Sequence, residues 1–324
     1  MAEKRVLITG INGFAASHLA DYIFKNNFGE VFGTIRGKST NMENIAHTKD
    51  KIKISVADLR DYFALKKTIE ETQPDFVFHL AAQSYVQASW PSPHDTMESN
   101  LIGTMNLFEA IRRSNINPRI QIAGSSEEYG LVLPSEAPIK ETNPLRPLSP
   151  YGVSKVAADM LSYQYFKSYG MPIVRTRAFN HTGPRRGQVF VTSNWCYQVA
   201  MIEAKKQEPI IYHGNLEAKR DFTDVRDTVR AYWIAATKAT PGEAYNICQN
   251  KTMSMKQMLE VILQFTKIKP KLEQDAARMR PSDVELLWGD NTKFSKETGW
   301  KPEIPFEKTM QDLLDYWREK IKKN

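Results

Sequence analysis

The chain has 324 residues, 41% of them hydrophobic, and a formal net charge of +7. That length can bury a large core and lies near the size at which one domain tends to become two. Two cysteines, Cys196 and Cys248, are too few for a disulfide framework and stand in no metal-ligand spacing. Met1-Ala2-Glu3-Lys4-Arg5 runs straight into a strand-like segment without a signal-type apolar region. No apolar stretch approaches the roughly 18 residues that a membrane helix needs. The expectation is a cytoplasmic protein without metal or membrane attachment. A basic balance can mark a nucleic-acid surface, but the clearest run, Lys320-Ile321-Lys322-Lys323, reads as a solvated helix end. Nor are aromatic and basic residues interleaved as a nucleic-acid partner would require. The other arginines cluster near Gly and Pro motifs, which suits small molecules carrying phosphate.

In chain order, Arg5-Val6-Leu7-Ile8-Thr9 is a short apolar run of the kind a buried parallel strand requires. A glycine turn follows, then an amphipathic helix over 15–26. Further strand-like runs lie at 31–35, 52–56, 76–80, 120–123 and 173–177, with helical periodicity at 62–72, 96–114 and 154–169. Alternation of this kind implies right-handed crossovers and an α/β fold with a doubly wound parallel sheet. After about residue 180 the rhythm breaks. We therefore expect a Rossmann domain over 1–180, with a return segment near 222–249, and a smaller substrate lobe over 181–324.

Between the first strand and first helix stands Thr9-Gly10-Ile11-Asn12-Gly13-Phe14-Ala15-Ala16. Glycines here permit a tight turn and close approach of backbone to a pyrophosphate, which the helix N-terminus then attracts. Ala16 takes the third small position. Gly10, Asn12, Gly13, Phe14 and Ala15 are thus expected to hold a dinucleotide. A free ribose is normally held by an acid at the end of the second strand. That strand ends instead on Arg36, which suits a 2′-phosphate and hence NADP. Asp58-Leu59, after the third strand, reads equally as a cap for the adenine or as a plain turn.

In Tyr151-Gly152-Val153-Ser154-Lys155 a phenol and an ammonium share one helix face. The cation favours the phenolate, so Tyr151 could exchange a proton with a sugar hydroxyl. The spacing is common and gains weight only beside the glycine turn and Ser125, which follows the fifth strand.

These residues, with Leu80-Ala81-Ala82-Gln83, resemble the extended short-chain dehydrogenase/reductases that act on nucleotide-sugars. Phe179-Asn180-His181-Thr182-Gly183-Pro184-Arg185-Arg186-Gly187 is similar to the GDP-mannose 4,6-dehydratases, as is Arg280-Pro281-Ser282-Asp283-Val284. Gly214-Asn215-Leu216 with Arg220-Asp221-Phe222-Thr223-Asp224 resembles both those dehydratases and the GDP-4-keto-6-deoxymannose reductases. The resemblance implies NADP on Leu80, Ala81, Ala82, Gln83, Tyr151 and Lys155 as well as on the glycine turn. It implies a GDP-sugar on Ser84, Ser126, Asn180, Arg185, Asn215, Arg220 and Arg280, where arginine forks suit a diphosphate. His181 is expected to be structural.

Within the resemblance, Ser125, Glu127, Tyr151 and Lys155 form the catalytic set. Tyr151 serves oxidation at C4, Glu127 removes the C5 proton, water leaves from C6, and the hydride returns to C6. Glu128 is expected to point away from the sugar. Ser126 replaces the aspartic acid of the dTDP-glucose dehydratases, and Gly37-Lys38-Ser39-Thr40-Asn41-Met42 lacks the second arginine and longer loop of the GDP-mannose enzymes. A homodimer is therefore as consistent as a homotetramer. The alternatives are 4-keto reduction, a dehydratase or epimerase acting on a related GDP-sugar, and a non-catalytic NADP-binding scaffold.

Overall fold

A computed structural model describes residues 3–279 and 284–323. Seven strands form one sheet. Six are taken in chain order, β1 (Arg5–Thr9), β2 (Glu30–Ile35), β3 (Ile52–Val56), β4 (Phe76–His79), β5 (Arg119–Ser125) and β6 (Ile173–Ala178), and Ala244–Ile247 is the seventh. The spatial order is Ala244–Ile247, β6, β5, β4, β1, β2, β3, and every neighbouring pair is parallel. Because β1 lies between β2 and β4, successive crossovers leave it in opposite directions, and a crevice opens at the carboxyl ends of the strands.

The apolar runs read as strands because both sheet faces are covered. Alternate residues of β1 serve opposite cores: Val6 and Ile8 pack with helices Phe14–Lys25 and Val225–Lys238, whereas Leu7 packs with Tyr62–Thr72, Gly103–Arg113 and Pro150–Tyr169. The return of the chain to the sheet is anchored by Trp233, whose ring stacks 4.5 Å from Phe28 and 5.8 Å from Phe78. A third core is built on helices Val191–Glu203, Met255–Gln264 and Phe306–Lys323.

One expected element differs. The helix expected over 96–114 is interrupted: helix Pro93–Met97 passes into a π-turn, Glu98–Ile102, before Gly103–Arg113. The widened turn accompanies an inward-facing Asn100. Its Oδ1 accepts from the Gln83 N–H at 2.8 Å, and its Nδ2 donates to the Gln83 carbonyl and to Ser154 Oγ. Helical periodicity in the sequence cannot register one inserted residue that exists to reach another loop. Among the described residues, no helix is long and apolar enough to cross a membrane.

Candidate active site

The first helix begins directly after the glycine turn, and its N-cap, Gly13, supplies no capping side chain. The first N–H groups of that helix therefore lack a side-chain acceptor. Gly10 adopts φ +66°, and a Cβ there would stand 3.0 Å from Ala81 Cα. Thr9 fixes the opposing loop, its hydroxyl accepting from the Leu80 and Ala81 N–H groups at 3.1 Å. Thr9 is in turn 2.9 Å from Nδ1 of His79, and burial drives His79 down to about 3, so the imidazole stays neutral. This cradle, tight to backbone and open to an anion, fits a dinucleotide pyrophosphate.

The cradle opens into a cleft of about 800 Å³. Every residue expected at the cofactor lines it: Gly10, Asn12, Gly13, Phe14, Ala15, Arg36, Asp58, Leu59, Leu80, Ala81, Ala82, Gln83, Tyr151 and Lys155. So do Ser125 and Glu127, and Ser84, Ser126 and Asn180 from the expected substrate set. Asn180 Nδ2 is buried without a protein partner. Asp58 is engaged by Arg60, whose side-chain hydrogen bond holds the carboxyl below its usual range.

Three local devices place the reactive groups. Ser149 caps the helix Pro150–Tyr169 by accepting from the Gly152 N–H, which sets Tyr151 in the first turn. Lys155, one turn on, donates to the Ala123 carbonyl at 2.9 Å and lies 5.8 Å from the Tyr151 ring centroid. Burial lowers Lys155 to about 8, so it remains cationic at neutral pH. Burial raises the Tyr151 phenol above its ordinary value, while a hydrogen bond with Ser125 opposes that rise. Gly152 allows this helix to press on the turn bearing Glu127, since a Cβ there would meet the Glu127 carbonyl at 2.7 Å.

The expected placement of Arg185 differs. Arg185 does not enter the cleft. Its guanidinium reaches the outer side of the first helix, 2.7 Å from both Asp21 Oδ2 and His18 Nδ1, and donates to the Asn44 carbonyl. Arg185 adopts φ +71°, and it is the following residue, Arg186, that lines the cleft. The Arg186 guanidinium lies 4.8 Å from the Phe14 ring centroid and 3.4 Å from that of Phe190. Burial lowers it to about 10, well within the cationic range at neutral pH.

Asn215 and Arg220 also stand outside the cleft lining, on the segment that packs against the third core. Asn215 accepts from the Glu217 N–H, and Arg220 donates to the Lys219 and Glu285 carbonyls. Arg280 lies outside the described residues. His181 lines the cleft, stacked on Phe14 with centroids 6.0 Å apart. Its Nδ1 is 3.0 Å from the Phe179 carbonyl, and burial lowers it to about 4, so it stays a neutral hydrogen-bonded group. Sequence reasoning also missed Phe190 and Tyr232 in the lining. The Arg185-Arg186 pair was the one visible signal, and it did not say which arginine turns inward. Among the described residues, no group of three His, Cys, Asp or Glu side chains is arranged to hold a metal.

The chain has relatives among nucleotide-sugar enzymes. A GDP-mannose 4,6-dehydratase of Vibrio cholerae is 34% identical, over 97% of this chain and 93% of its own. A GDP-6-deoxy-D-mannose reductase of Pseudomonas aeruginosa is 28% identical, over 98% of this chain and 99% of its own. In structure, the NADPH complex of RMD from Pseudomonas aeruginosa superposes with a TM-score of 0.84 at 27% identity, covering 98% of this chain and 99% of that one. Residues 7–313 match the GDP-mannose 4,6 dehydratase family, and the chain belongs to it.

Proposed function

We propose that the chain converts GDP-mannose to GDP-4-keto-6-deoxymannose, using NADP held in the cleft. The observation that carries this reading is Glu127, a carboxylate that shares the cleft with Ser125, Tyr151 and Lys155. When bound, a nicotinamide cofactor supplies an acceptor for the C4 hydrogen as hydride and returns it at C6.

The residues do the proton work. Tyr151, its phenolate favoured by the Lys155 ammonium, takes the proton from O4, while Ser125 hydrogen-bonds the same oxygen. The C4 ketone acidifies the C5 proton, which Glu127 removes. Glu127 then returns a proton to the departing C6 oxygen, so that water leaves; the proton that Tyr151 took from O4, exchanged with solvent, balances the one that C5 regains as C6 is reduced. Arg186 offers the cleft a fixed cation for a phosphate or a polarised carboxamide. Asn215 and Arg220 are assigned to the nucleotide end of the substrate, on the second lobe.

NADP is favoured over NAD by Arg36, which stands at the end of β2 beside Ser39, Thr40 and Asn41 in the cleft wall. Arg36→Ala should weaken NADP roughly 10- to 100-fold, as expected for a lost charge-assisted hydrogen bond, and leave NAD nearly unaffected. Fluorescence titration of both cofactors measures this; equal weakening of the two would remove the 2′-phosphate assignment. Ile102, Met105, Val153, Met160 and Tyr163 expose apolar surface on two neighbouring helices, which supports a homodimer through that face. The free, buried thiols of Cys196 and Cys248 suit a reducing cytoplasm.

The second reading is 4-keto reduction. It is favoured by the likeness to the Pseudomonas reductase, 28% identical over 98% of this chain and 99% of its own. Mass spectrometry of the protein incubated with GDP-mannose and NADP⁺ in deuterated water separates the two. The dehydratase yields a product lighter by one water with deuterium at C5 and no accumulation of reduced cofactor. Unchanged GDP-mannose, together with oxidation of NADPH by the 4-keto-6-deoxy sugar, would establish the reductase.

A further inference from the structure

Behind Glu127 lies a second carboxylate that the reaction does not use. Glu128 is completely buried. Its Oε1 accepts from the Ser125 N–H at 2.7 Å, while Ser125 Oγ accepts from the Glu127 N–H at 3.2 Å. The two bonds close a reciprocal box around the turn Ser126–Glu128. The carboxylate packs directly on backbone, since a Cβ on Gly124 would stand 2.5 Å from Glu128 Oε1.

Its other oxygen leads into the scaffold. Glu128 Oε2 is 3.1 Å from Arg177 Nε on β6, and the same nitrogen is 3.1 Å from Asp159 Oδ2. Asp159 also pairs with Arg175 at 2.5 Å. Tyr151, Lys155 and Asp159 recur at four-residue spacing on one helix and so share a face. A buried chain of ionisable side chains thus runs from the turn carrying Glu127 to the helix carrying Tyr151.

Ser125 and Glu127 depend on the closed turn unequally. Ser125 is the last residue of β5 and is held in register with Ala178 by the sheet. Glu127 lies past the sheet edge, within the turn that these two bonds close.

We propose that Glu128 is a positioning residue whose carboxylate, by closing the 125–128 turn, aims Glu127 at the C5 proton. The proposal rests on the dehydratase reading for its chemistry, although the geometry is independent of it. Opening the turn should spare oxidation at C4, which needs Ser125 and Tyr151, and impair the elimination that follows. The electron pair from the C4 hydrogen then stays on the cofactor instead of returning to C6.

Two substitutions separate reach from charge. Glu128→Asp keeps the charge but is one methylene short of the Ser125 N–H, whereas Glu128→Gln keeps the acceptor and loses the charge. With GDP-mannose and NADP⁺, E128D should lose dehydration on the order of 10- to 100-fold, the usual cost of a misplaced reacting group. Absorbance of the reduced cofactor should rise to a stable level, with deuterium at C5 falling in step and KM little changed. E128Q should remain coupled, with no such rise, even where its melting temperature drops. If E128D gives no folded protein, Glu128→Met is read in its place. An E128D enzyme that stays coupled, or an E128Q enzyme that uncouples as far as E128D, overturns the proposal.

Hydrogen exchange of the segment 119–130 reads the same turn without substrate. The Ser125 and Glu127 amides should exchange faster in E128D than in wild type or E128Q, and equal protection overturns the proposal. A wild-type enzyme that reduces rather than dehydrates would fail the functional reading alone, because the exchange result still decides the role of Glu128.

Discussion

Replacing Tyr151 with phenylalanine is expected to cut turnover of GDP-mannose by roughly 10²–10⁴-fold while cofactor affinity stays the same, the range that a positioned proton donor or acceptor supplies. The ring remains, so the packing of the helix start is kept and only the hydroxyl beside Ser125 is lost. No reduced cofactor should appear, because the block falls before the C4 hydrogen leaves. The pH dependence of the wild type follows from Lys155. Its folded value of about 8 lies below the ordinary value of 10.5, so the ammonium is present at pH 7 and is lost as pH rises through about 8. Turnover that relies on that cation should decline over the same window. A phenylalanine variant with wild-type turnover would remove Tyr151 from the reaction.

Glu127→Gln is expected to fail at the next step. Oxidation at C4 needs only Ser125, Tyr151 and Lys155, all of which line the cleft. Proton removal from C5 should fall by roughly 10²–10⁴-fold, as for loss of a general base. The absorbance of reduced cofactor should then climb toward one equivalent per site, and the sugar should carry no deuterium at C5. Rapid mixing followed at the absorbance of the reduced cofactor, with mass spectrometry of the sugar, measures both. If Glu127→Gln still releases dehydrated product at the wild-type rate, the C5 base is another group. The two variants thus stop on opposite sides of one hydride transfer, and Glu128→Asp should lie between Glu127→Gln and wild type.

Much of the fold was legible because its strands are buried on both faces. The middle of a strand such as β1, with Val6 and Ile8 in one core and Leu7 in the other, is covered on both faces, so it stands out as a short apolar run. The glycine turn was legible for a related reason. Gly10 is forced by positive φ and by the approach of Ala81, and no other residue type meets both demands without strain. Tyr151 and Lys155 were legible as a pair because helical spacing alone puts them on one face.

What the sequence by itself determined was therefore what depends on near neighbours: strand and helix alternation, the glycine turn, and the spacing of Tyr151 and Lys155. Tertiary structure decided which way groups point when the backbone offers two directions. Arg185 and Arg186 are adjacent and chemically identical, yet positive φ at Arg185 accompanies one pairing with Asp21 and the other lining the cleft. The π-turn around Asn100 answers to Gln83 and Ser154, which are far away in sequence. Glu128 became intelligible only once Arg177 and Asp159 were brought to it by a strand and a helix. In each case the deciding partner comes from another element of the fold, and a buried charge settles where its partners are, because leaving it unpaired costs more than local backbone preferences can offset.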